Sequence, residues 1–245
     1  MQPRRPIRSF VLRAGRLTTA QQRALQELWP KYGLDTADEP IDLDALFQRS
    51  APRCLEIGFG TGEVIASLAE ANPAIDYLGI DVHRSGVGRL LLRAERAHLA
   101  NLRVISRDAV EVLARAIAAC TLDETLIFFP DPWHKTRHHK RRLINADFVA
   151  LLAGKLRAGG RLRLATDWRP YAEQMLCVCN AETTLESLSE DRTFVARPDF
   201  RPPTRFERRG ERLGHLVWDL AYRKRAAVAE RCQAPPKADV ASRNN

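Results

Sequence analysis

Several patterns that would assign a function at once are missing from this chain of 245 residues. No apolar run approaches the roughly 18 residues that a membrane-spanning helix needs, so we expect no membrane insertion. No Gly-x-x-x-x-Gly-Lys-Ser/Thr sequence occurs, which excludes a P-loop nucleotide site. The first 16 residues carry five arginines and no acid. Pro3, Pro6 and Gly15 interrupt them and no apolar region follows, so we expect no cleaved targeting signal.

Cysteine is sparse and follows no metal-binding pattern. The five cysteines include no Cys-x-x-Cys pair, and Cys177 and Cys179 lie two apart on a predicted helix, hence on different faces. His138 and His139 have no cysteine or carboxylate at zinc spacing. We therefore expect free thiols in a reducing cytoplasm and no metal site.

The charge balance is strongly basic. Lysine and arginine number 39 against 30 aspartates and glutamates, giving a formal net charge of +9 and a pI of about 9.7. Such a balance favours a polyanionic partner, although it says nothing about the fold. The content of hydrophobic residues, 45%, suits a folded domain with a full core.

Helical and extended patterns alternate along the chain, which predicts an α/β fold. We expect a doubly wound, mostly parallel, Rossmann-like sheet with an antiparallel edge strand and helices on both faces. The predicted strands are 53–57, 75–80, 102–106, 124–129, 161–165, 183–188 and 215–222. The predicted helices are 19–28, 63–71, 87–99, 109–119, 145–156 and 170–182. Residues 1–50 form a basic arm and a leading helix, 51–224 the main domain, and 225–245 a tail predicted to be disordered.

The most informative run follows the fourth predicted strand, from Phe129 to Arg142. It begins Phe-Pro-Asp-Pro-Trp-His-Lys, so Asp131 stands between two prolines that stiffen the turn. Trp133 offers a flat face for stacking a ring. A basic strip follows: Arg137, His138, His139, Lys140, Arg141 and Arg142. An acid, an aromatic ring and a basic strip together indicate a site for a base within a nucleic acid, although charge runs are also common on solvated faces.

Five acids stand at or just after the ends of the five consecutive strands that we expect to be parallel. They are Glu56, Asp81, Asp108, Asp131 and Asp167. The carboxyl ends of parallel strands meet at one edge, where ligands bind in open α/β sheets. This arrangement predicts an enzyme site better than it predicts five separate helix caps.

The loop after the first strand, Gly58-Phe-Gly60-Thr-Gly62, lets a ligand approach the backbone but lacks the spacing of dinucleotide-binding loops. Asp81 follows 19 residues later, where a carboxylate holds ribose hydroxyls. Glu56 precedes the loop and would repel pyrophosphate while suiting a cationic ligand. The combination predicts S-adenosylmethionine, which carries an adenosine, an ammonium and a sulfonium but no phosphate.

With these motifs the chain resembles the bacterial tRNA (guanine-N7-)-methyltransferase family. The segments that carry the resemblance are 8–11 with 15–18, 56–60, 79–83, 129–135, 166–168, 201–210 and 214–215. Together they span nearly all of the chain except its tail. The resemblance implies transfer of a methyl group from S-adenosylmethionine to N7 of guanosine 46 in the tRNA variable loop by residues 51–224.

The resemblance also implies roles for particular residues. The cofactor-binding residues would be Glu56, Gly58, Gly60, Asp81, Asp108 and Asp131. The substrate-binding residues would be Lys135, Asp167, Thr204, Arg205, Phe206 and Glu207, and the basic strip would contact RNA. Two positions differ from the family: Asp81 stands where glutamate is frequent, and Arg205 where lysine is usual.

For the chemistry, we hypothesise that Asp131 is catalytic. A buried carboxylate there would offset the positive charge that appears on guanine when N7 is methylated. Asp167 and Glu207 would accept from the guanine N1 and N2 hydrogens. Trp133 would either stack on the base or pack under the turn. Four further arginines would join the basic strip in contacting phosphates: Arg201, Arg205, Arg208 and Arg209.

Three other functions are compatible with parts of the sequence. A nicotinamide-dependent oxidoreductase shares the sheet, but the glycine spacing and Glu56 oppose it. An exocyclic-amine methyltransferase carries a related Asn/Asp-Pro-Pro-aromatic motif, but here the second proline is displaced. A non-catalytic RNA-binding module would have no use for the cofactor acids. A monomer and a homodimer are equally compatible with the sequence.

Overall fold

The computed structural model describes residues 8–11, 16–35, 39–201, 207 and 216–226, and these build one seven-stranded sheet. The strands are β1 (Arg53–Ile57), β2 (Asp76–Ile80), β3 (Leu102–Ile105), β4 (Leu122–Phe128), β5 (Leu156–Thr166), β6 (Leu185–Ser187) and β7 (Trp218–Lys224). Their order across the sheet is β3-β2-β1-β4-β5-β7-β6. The chain order reverses between β1 and β4, which creates a crevice at their carboxyl ends.

The sheet is parallel from β3 to β5, and β7 runs antiparallel to both β5 and β6. This confirms the predicted fold class, including the antiparallel edge. β1 and β4 are buried over most of their length, as expected for strands covered on both faces.

The helices are α1 (Thr19–Glu27), α2 (Trp29–Tyr32), α3 (Leu43–Phe47), α4 (Glu63–Ala71), α5 (Arg84–Arg96), α6 (Ala109–Arg115), α7 (Ala146–Lys155) and α8 (Arg169–Ala181), with a 3-10 helix at Thr136–Arg141. Two apolar clusters cover the two faces of the sheet. One contains Leu113 of α6, Phe148 of α7 and Met175 of α8, and the other contains Ile65 of α4 and Leu91 of α5. The described part of the chain has no helix with the length and apolarity to span a membrane.

Helix α5 begins three residues before its predicted start at Val87. Glycine lowers helix propensity, which weakens the sequence signal around Gly86 and Gly88. Both glycines are instead close-packing positions, because a Cβ atom on Gly86 would lie 2.1 Å from the Gly60 carbonyl oxygen and one on Gly88 would lie 3.0 Å from Gln21 Cβ. Helix α5 therefore packs tightly on the glycine loop and on α1.

Strand β5 begins at Leu156, five residues earlier than predicted. Gly159 and Gly160 were expected to end the preceding helix, but α7 ends at Lys155 and Leu156 already pairs with Leu122 of β4. The pairing then shifts register between Leu122 and Glu124, and Gly159 takes a φ of +78°. The glycines thus accommodate an irregularity within the strand rather than a helix end.

Candidate active site at the carboxyl edge

A cavity of about 650 Å³ opens at the carboxyl ends of β1, β2, β3 and β4. Four of the five predicted strand-end acids line it: Glu56, Asp81, Asp108 and Asp131. Asp167, which follows β5, is half-buried and does not line this cavity. The cavity therefore contains four of the five predicted acids and not Asp167.

The glycine loop forms one wall of the cavity. Gly58 and Gly60 have φ values of +72° and +55°, a region that side chains rarely adopt. A Cβ atom on either glycine would meet no atom of the described residues within 4 Å, because both positions face open space. The loop thus presents bare backbone to whatever occupies the cavity.

Glu56 is the most deeply buried acid of the cavity, with 3% of its surface exposed. Burial raises its pKa to about 8, Asp81 adds to the shift, and the Ile65 backbone N–H opposes it. Its Oε2 atom is buried and has no hydrogen-bond partner among the described residues. An orphaned carboxylate oxygen of this kind fits a cationic group of a ligand, because burying an uncompensated charge is costly.

Asp81 and Asp108 are held by backbone N–H groups. Asp81 is 5% exposed and accepts from Gly60 N and His83 N, both at 2.8 Å. Burial raises its pKa, and those two hydrogen bonds oppose the shift. Asp108 caps α6 by accepting from Val110 N at 2.9 Å, so it serves as a helix cap and lines the cavity as well.

The turn after β4 carries two residues in left-handed backbone conformations. Phe129 has a φ of +54° and Trp133 a φ of +47°, each at a cost of roughly 1–3 kcal/mol. Phe129 N donates to Ala165 O at 2.8 Å, which extends the β4–β5 pairing into the turn. The Asp131 side chain is exposed at the cavity mouth, which differs from the buried carboxylate in our hypothesis, because the turn leads the chain out of the sheet.

Trp133 holds the N-terminal segment against the turn. Its Nε1 donates to Ser9 O at 3.0 Å, and the Arg141 guanidinium stacks on its ring at 3.9 Å. Arg141 also donates to Arg8 O and Phe10 O, at 3.1 and 3.2 Å. Ser9 and Phe10 consequently line the cavity, a role that the sequence did not indicate for them.

The basic strip divides into exposed and buried residues. It forms the 3-10 helix, with Arg137 and Lys140 exposed and His138, His139 and Arg141 half-buried. Lys135, just before it, is exposed. Burial, followed by the neighbouring cations, lowers the pKa of His138.

Arg142 differs from the expected exposed RNA contact, because it is 3% exposed. Its Nε donates to Pro132 O at 2.9 Å and its Nη1 to Gln174 Oε1 at 2.6 Å, while its guanidinium lies over the Tyr171 ring. This arginine ties the Pro-Asp-Pro turn to helix α8. We therefore withdraw it from the predicted phosphate contacts.

Arg201 likewise differs from the expected phosphate contact, because it is 1% exposed. Its guanidinium pairs with Glu207 at 2.6 Å and with Asp219 at 2.9 Å. Glu207, predicted to contact guanine, is itself buried. The remaining predicted contacts of this region lie outside the described residues: Thr204, Arg205, Phe206, Arg208 and Arg209.

The four cysteines in the described part of the chain are free thiols, with Cys177 exposed and Cys179 buried on the other side of α8. The fifth, Cys232, lies outside the described residues.

The chain is similar to proteins described as methyltransferases. A family model described as a putative methyltransferase matches residues 50–220. The chain is 54% identical over 222 residues to the tRNA (guanine-N(7)-)-methyltransferase of Pseudomonas aeruginosa (strain UCBPP-PA14), covering 91% of each chain. It is 53% identical over 238 residues to the protein of that name from Xanthomonas campestris pv. campestris (strain 8004), covering 97% of this chain and 91% of the relative.

Solved structures share the fold at much lower identity. The 16S rRNA methyltransferase KamB gives a TM-score of 0.56 at 17% identity, covering 77% of this chain and 95% of that one. A mutant form of the 16S rRNA (adenine(1408)-N(1))-methyltransferase from Catenulisporales acidiphilia, solved with its cosubstrate SAM, gives 0.55 at 16% identity, covering 81% and 96%. At this identity the likeness concerns the fold alone.

Proposed function

The chain belongs to the tRNA (guanine-N(7)-)-methyltransferase family, and from this premise we propose that it methylates N7 of guanosine 46 in the variable loop of tRNA. The observation that carries the proposal is the identity of 53–54% over at least 91% of the chain with proteins of that name. The methyl donor is S-adenosylmethionine.

The cavity supports this donor through its charge and its shape. The orphaned Glu56 oxygen suits a cation, and the bare backbone at Gly58 and Gly60 admits close approach. Asp81 lines the cavity, and a carboxylate at the end of this strand suits ribose hydroxyls. A pyrophosphate would bring negative charge next to Glu56, so a nicotinamide dinucleotide fits poorly. When bound, S-adenosylmethionine supplies a methyl group on a positively charged sulfur.

The protein's contribution to the reaction is alignment and charge stabilisation. Guanine N7 already has a lone pair, so no general base is required, and the base becomes cationic as the N7–methyl bond forms. Asp131 lines the cavity and is exposed, which supports a role for its carboxylate in offsetting this charge. Asp167 accepts hydrogen bonds from the guanine edge, whereas Glu207 is buried against Arg201 and would have to leave that ion pair to reach the base.

The tRNA backbone contacts the exposed part of the basic strip. Arg137 and Lys140 are available for phosphate oxygens, and Lys135 lies just before them. Such contacts position the RNA without reading its sequence. Selection of one guanosine rests on the tRNA shape and on an unpaired, accessible base. Within RNA helices, protein side chains have little access to the base edges.

The test is to incubate the purified protein with S-adenosylmethionine and an unmodified tRNA transcript, and to map the product by nucleoside mass spectrometry. We expect N7-methylguanosine in a transcript with guanosine at position 46, and its loss when that guanosine is replaced by adenosine. N6-methyladenosine, or N7-methylguanosine that persists in the replaced transcript, would refute the proposal.

A further inference from the structure

The inference concerns which aromatic ring in the turn after β4 can receive a base. Trp133 is engaged within the protein, because the Arg141 guanidinium lies 3.9 Å from its ring centroid and its Nε1 donates to Ser9 O at 3.0 Å. The His138 ring also lies beside it, with the two centroids 5.8 Å apart. A base could stack on the face that Arg141 covers only by displacing this arginine, which holds the N-terminal segment.

His134, the residue after Trp133, presents a different ring. The residue is exposed, and its ring meets that of Trp168 edge to face, with the centroids 4.3 Å apart and the planes at 89°. In such a pair one ring presents its edge to the other, so Trp168 covers at most one face of the imidazole. The contact therefore orients the imidazole and leaves at least one of its faces uncovered by the indole.

The ring pair joins the turn after β4 to the turn after β5. These two strands pair in parallel, so their carboxyl ends are neighbours. Asp131 lines the cavity and stands three residues before His134, a stretch that spans at most roughly 11 Å, and Asp167 directly precedes Trp168. His134 does not itself line the cavity, as expected for a ring that meets a base entering from the RNA rather than the cofactor.

Cationic side chains follow this ring directly in the sequence. Lys135 and Arg137 are both exposed. Proteins that bind unpaired nucleotides combine cations, which follow the phosphates, with aromatic rings, on which the bases stack. The succession of an exposed ring and exposed cations in this turn thus suits one unpaired base and the backbone that carries it.

We propose that the guanine to be methylated stacks on His134, and that Trp168 fixes the plane of that ring. The proposal rests on the proposed function and adds the contact that holds the base beside Asp131. Stacking uses the face of the imidazole, so an aromatic ring without nitrogen atoms should serve as well. An aliphatic side chain should not.

The test measures the tRNA dissociation constant with two transcripts, one intact and one with an abasic site at the target nucleotide. His134→Ala should weaken binding of the intact transcript about fivefold or more, as expected for the loss of one stacked base. The same change should weaken binding of the abasic transcript less than about twofold, because no base is there to lose its partner. His134→Phe should bind the intact transcript within about threefold of the wild type, and His134→Leu should resemble His134→Ala.

The matched control is His98→Asn, at an exposed histidine after α5 whose φ of +52° asparagine tolerates. This variant should bind both transcripts as the wild type does. S-adenosylhomocysteine should bind His134→Ala as tightly as the wild type, because the ring lies outside the cavity. This measurement separates lost stacking from a distorted cavity.

An affinity of His134→Ala for the intact transcript within about twofold of the wild type would overturn the proposal. Equal losses on the two transcripts would also overturn it, because the ring would then act on the protein or on another part of the RNA. A loss in His134→Phe as large as that in His134→Ala would assign the effect to an imidazole nitrogen and so exclude stacking. If His134→Ala does not fold, His134→Leu takes its place in each comparison.

The proposed function can fail separately from the role of His134. The identity of the nucleoside that the wild-type protein methylates tests the proposed function. If another nucleoside is methylated, the abasic site is placed at that nucleoside, and the same ratios of dissociation constants test His134.

Discussion

The two halves of the carboxyl edge are built by different means. In the half that we propose to bind the cofactor, the cofactor half, formed by the loops after β1, β2 and β3, backbone groups hold the acids, as when Gly60 N and His83 N hold Asp81. In the half that we propose to bind the substrate, the substrate half, formed by the segments after β4 and β5 and before β7, arginine side chains organise the backbone. Arg142 holds Pro132 O, and Arg141 holds Arg8 O and Phe10 O.

The difference lies in the sequence distance that each contact spans. Asp81 lies 21 residues or fewer from each of its two donors. Arg142 is only 10 residues from Pro132 but also contacts Gln174, 32 residues away, and Arg141 and Arg8 are 133 apart. The cofactor half is therefore a local property of strand–loop–helix units. The substrate half depends on the assembled fold. Part of the chain's positive charge stabilises the backbone of this half and is not available for binding RNA.

The largest expected effect tests the substrate half through Asp131→Ala. Removing a group that stabilises developing charge costs about 10² to 10³ in rate at comparable sites, and we expect a loss of at least about a hundredfold in single-turnover methyl transfer. Since Asp131 lies outside the basic strip, the tRNA dissociation constant should stay near that of the wild type. Asp131→Asn, which keeps the shape without the charge, should be similarly slow. Near-normal transfer in either variant would remove the Asp131 charge from the mechanism.

The second prediction tests the cofactor half through Gly86→Ala. The added Cβ would lie 2.1 Å from the Gly60 carbonyl oxygen, so the glycine loop has to move. We expect a loss of about 1–3 kcal/mol in unfolding free energy, and about tenfold weaker S-adenosylhomocysteine binding for each 1.4 kcal/mol of distortion that reaches the site. Denaturant unfolding measures the change in unfolding free energy, and calorimetric titration measures the change in S-adenosylhomocysteine binding.

The matched control for that change is Gly154→Ala in α7. A Cβ there meets nothing within 4 Å among the described residues, so helix propensity alone should stabilise the protein by up to about 1 kcal/mol. Equal behaviour of the two alanine variants would contradict the tight packing of α5 on the loop.

A smaller effect is expected from the exposed part of the basic strip. Replacing Arg137 and Lys140 together by alanine should lower the log–log salt dependence of tRNA binding by about one to two units, because each phosphate contact releases counterions. The control replaces Arg157 and Arg161, which are exposed in the amino-terminal half of β5, and should leave the slope unchanged. Equal slopes for the two double variants would argue against a phosphate role for the strip.

The smallest expected effect is the release of a proton from Glu56 when the ligand binds. Because burial raises the Glu56 pKa to about 8, this acid is mostly protonated at pH 7 and must ionise to pair with a cationic ligand. Binding of S-adenosylhomocysteine at pH 7 should therefore release roughly one proton, measured by calorimetry in buffers of different ionisation enthalpy. The release should be absent in Glu56→Gln, and its persistence there would assign the proton to another group.

The same raised pKa has a defined sign for stability. Glu56 contributes stability to the ligand-free protein that is fully present below pH 4.5 and is lost as the pH rises through about 8. The free energy of unfolding of Glu56→Gln should not show this loss. The stability of the variant relative to the wild type should therefore increase between pH 4.5 and about 8.

Much of the fold followed from patterns in the sequence. Helix α4 matches its predicted bounds, because a glycine loop precedes Glu63 and Asn72-Pro73 follows Ala71. Helices α2 and α3 were missed, since four and five residues carry too little periodicity. The 3-10 helix was also missed, because a run of cations has no apolar face to reveal it.

The sequence alone determined which acids lie at the carboxyl edge, and the structure decided that four of the five line the cavity. Alternating strands and helices force the carboxyl ends of parallel strands to one edge, so Glu56, Asp81, Asp108 and Asp131 had to follow those ends. Only the tertiary structure decided which charges are buried there. Arg141 and Arg142 are neighbours in sequence, yet one stacks on Trp133 and the other is enclosed by Tyr171 and Gln174. Burial depends on partners brought from elsewhere in the chain, and no local pattern carries that information.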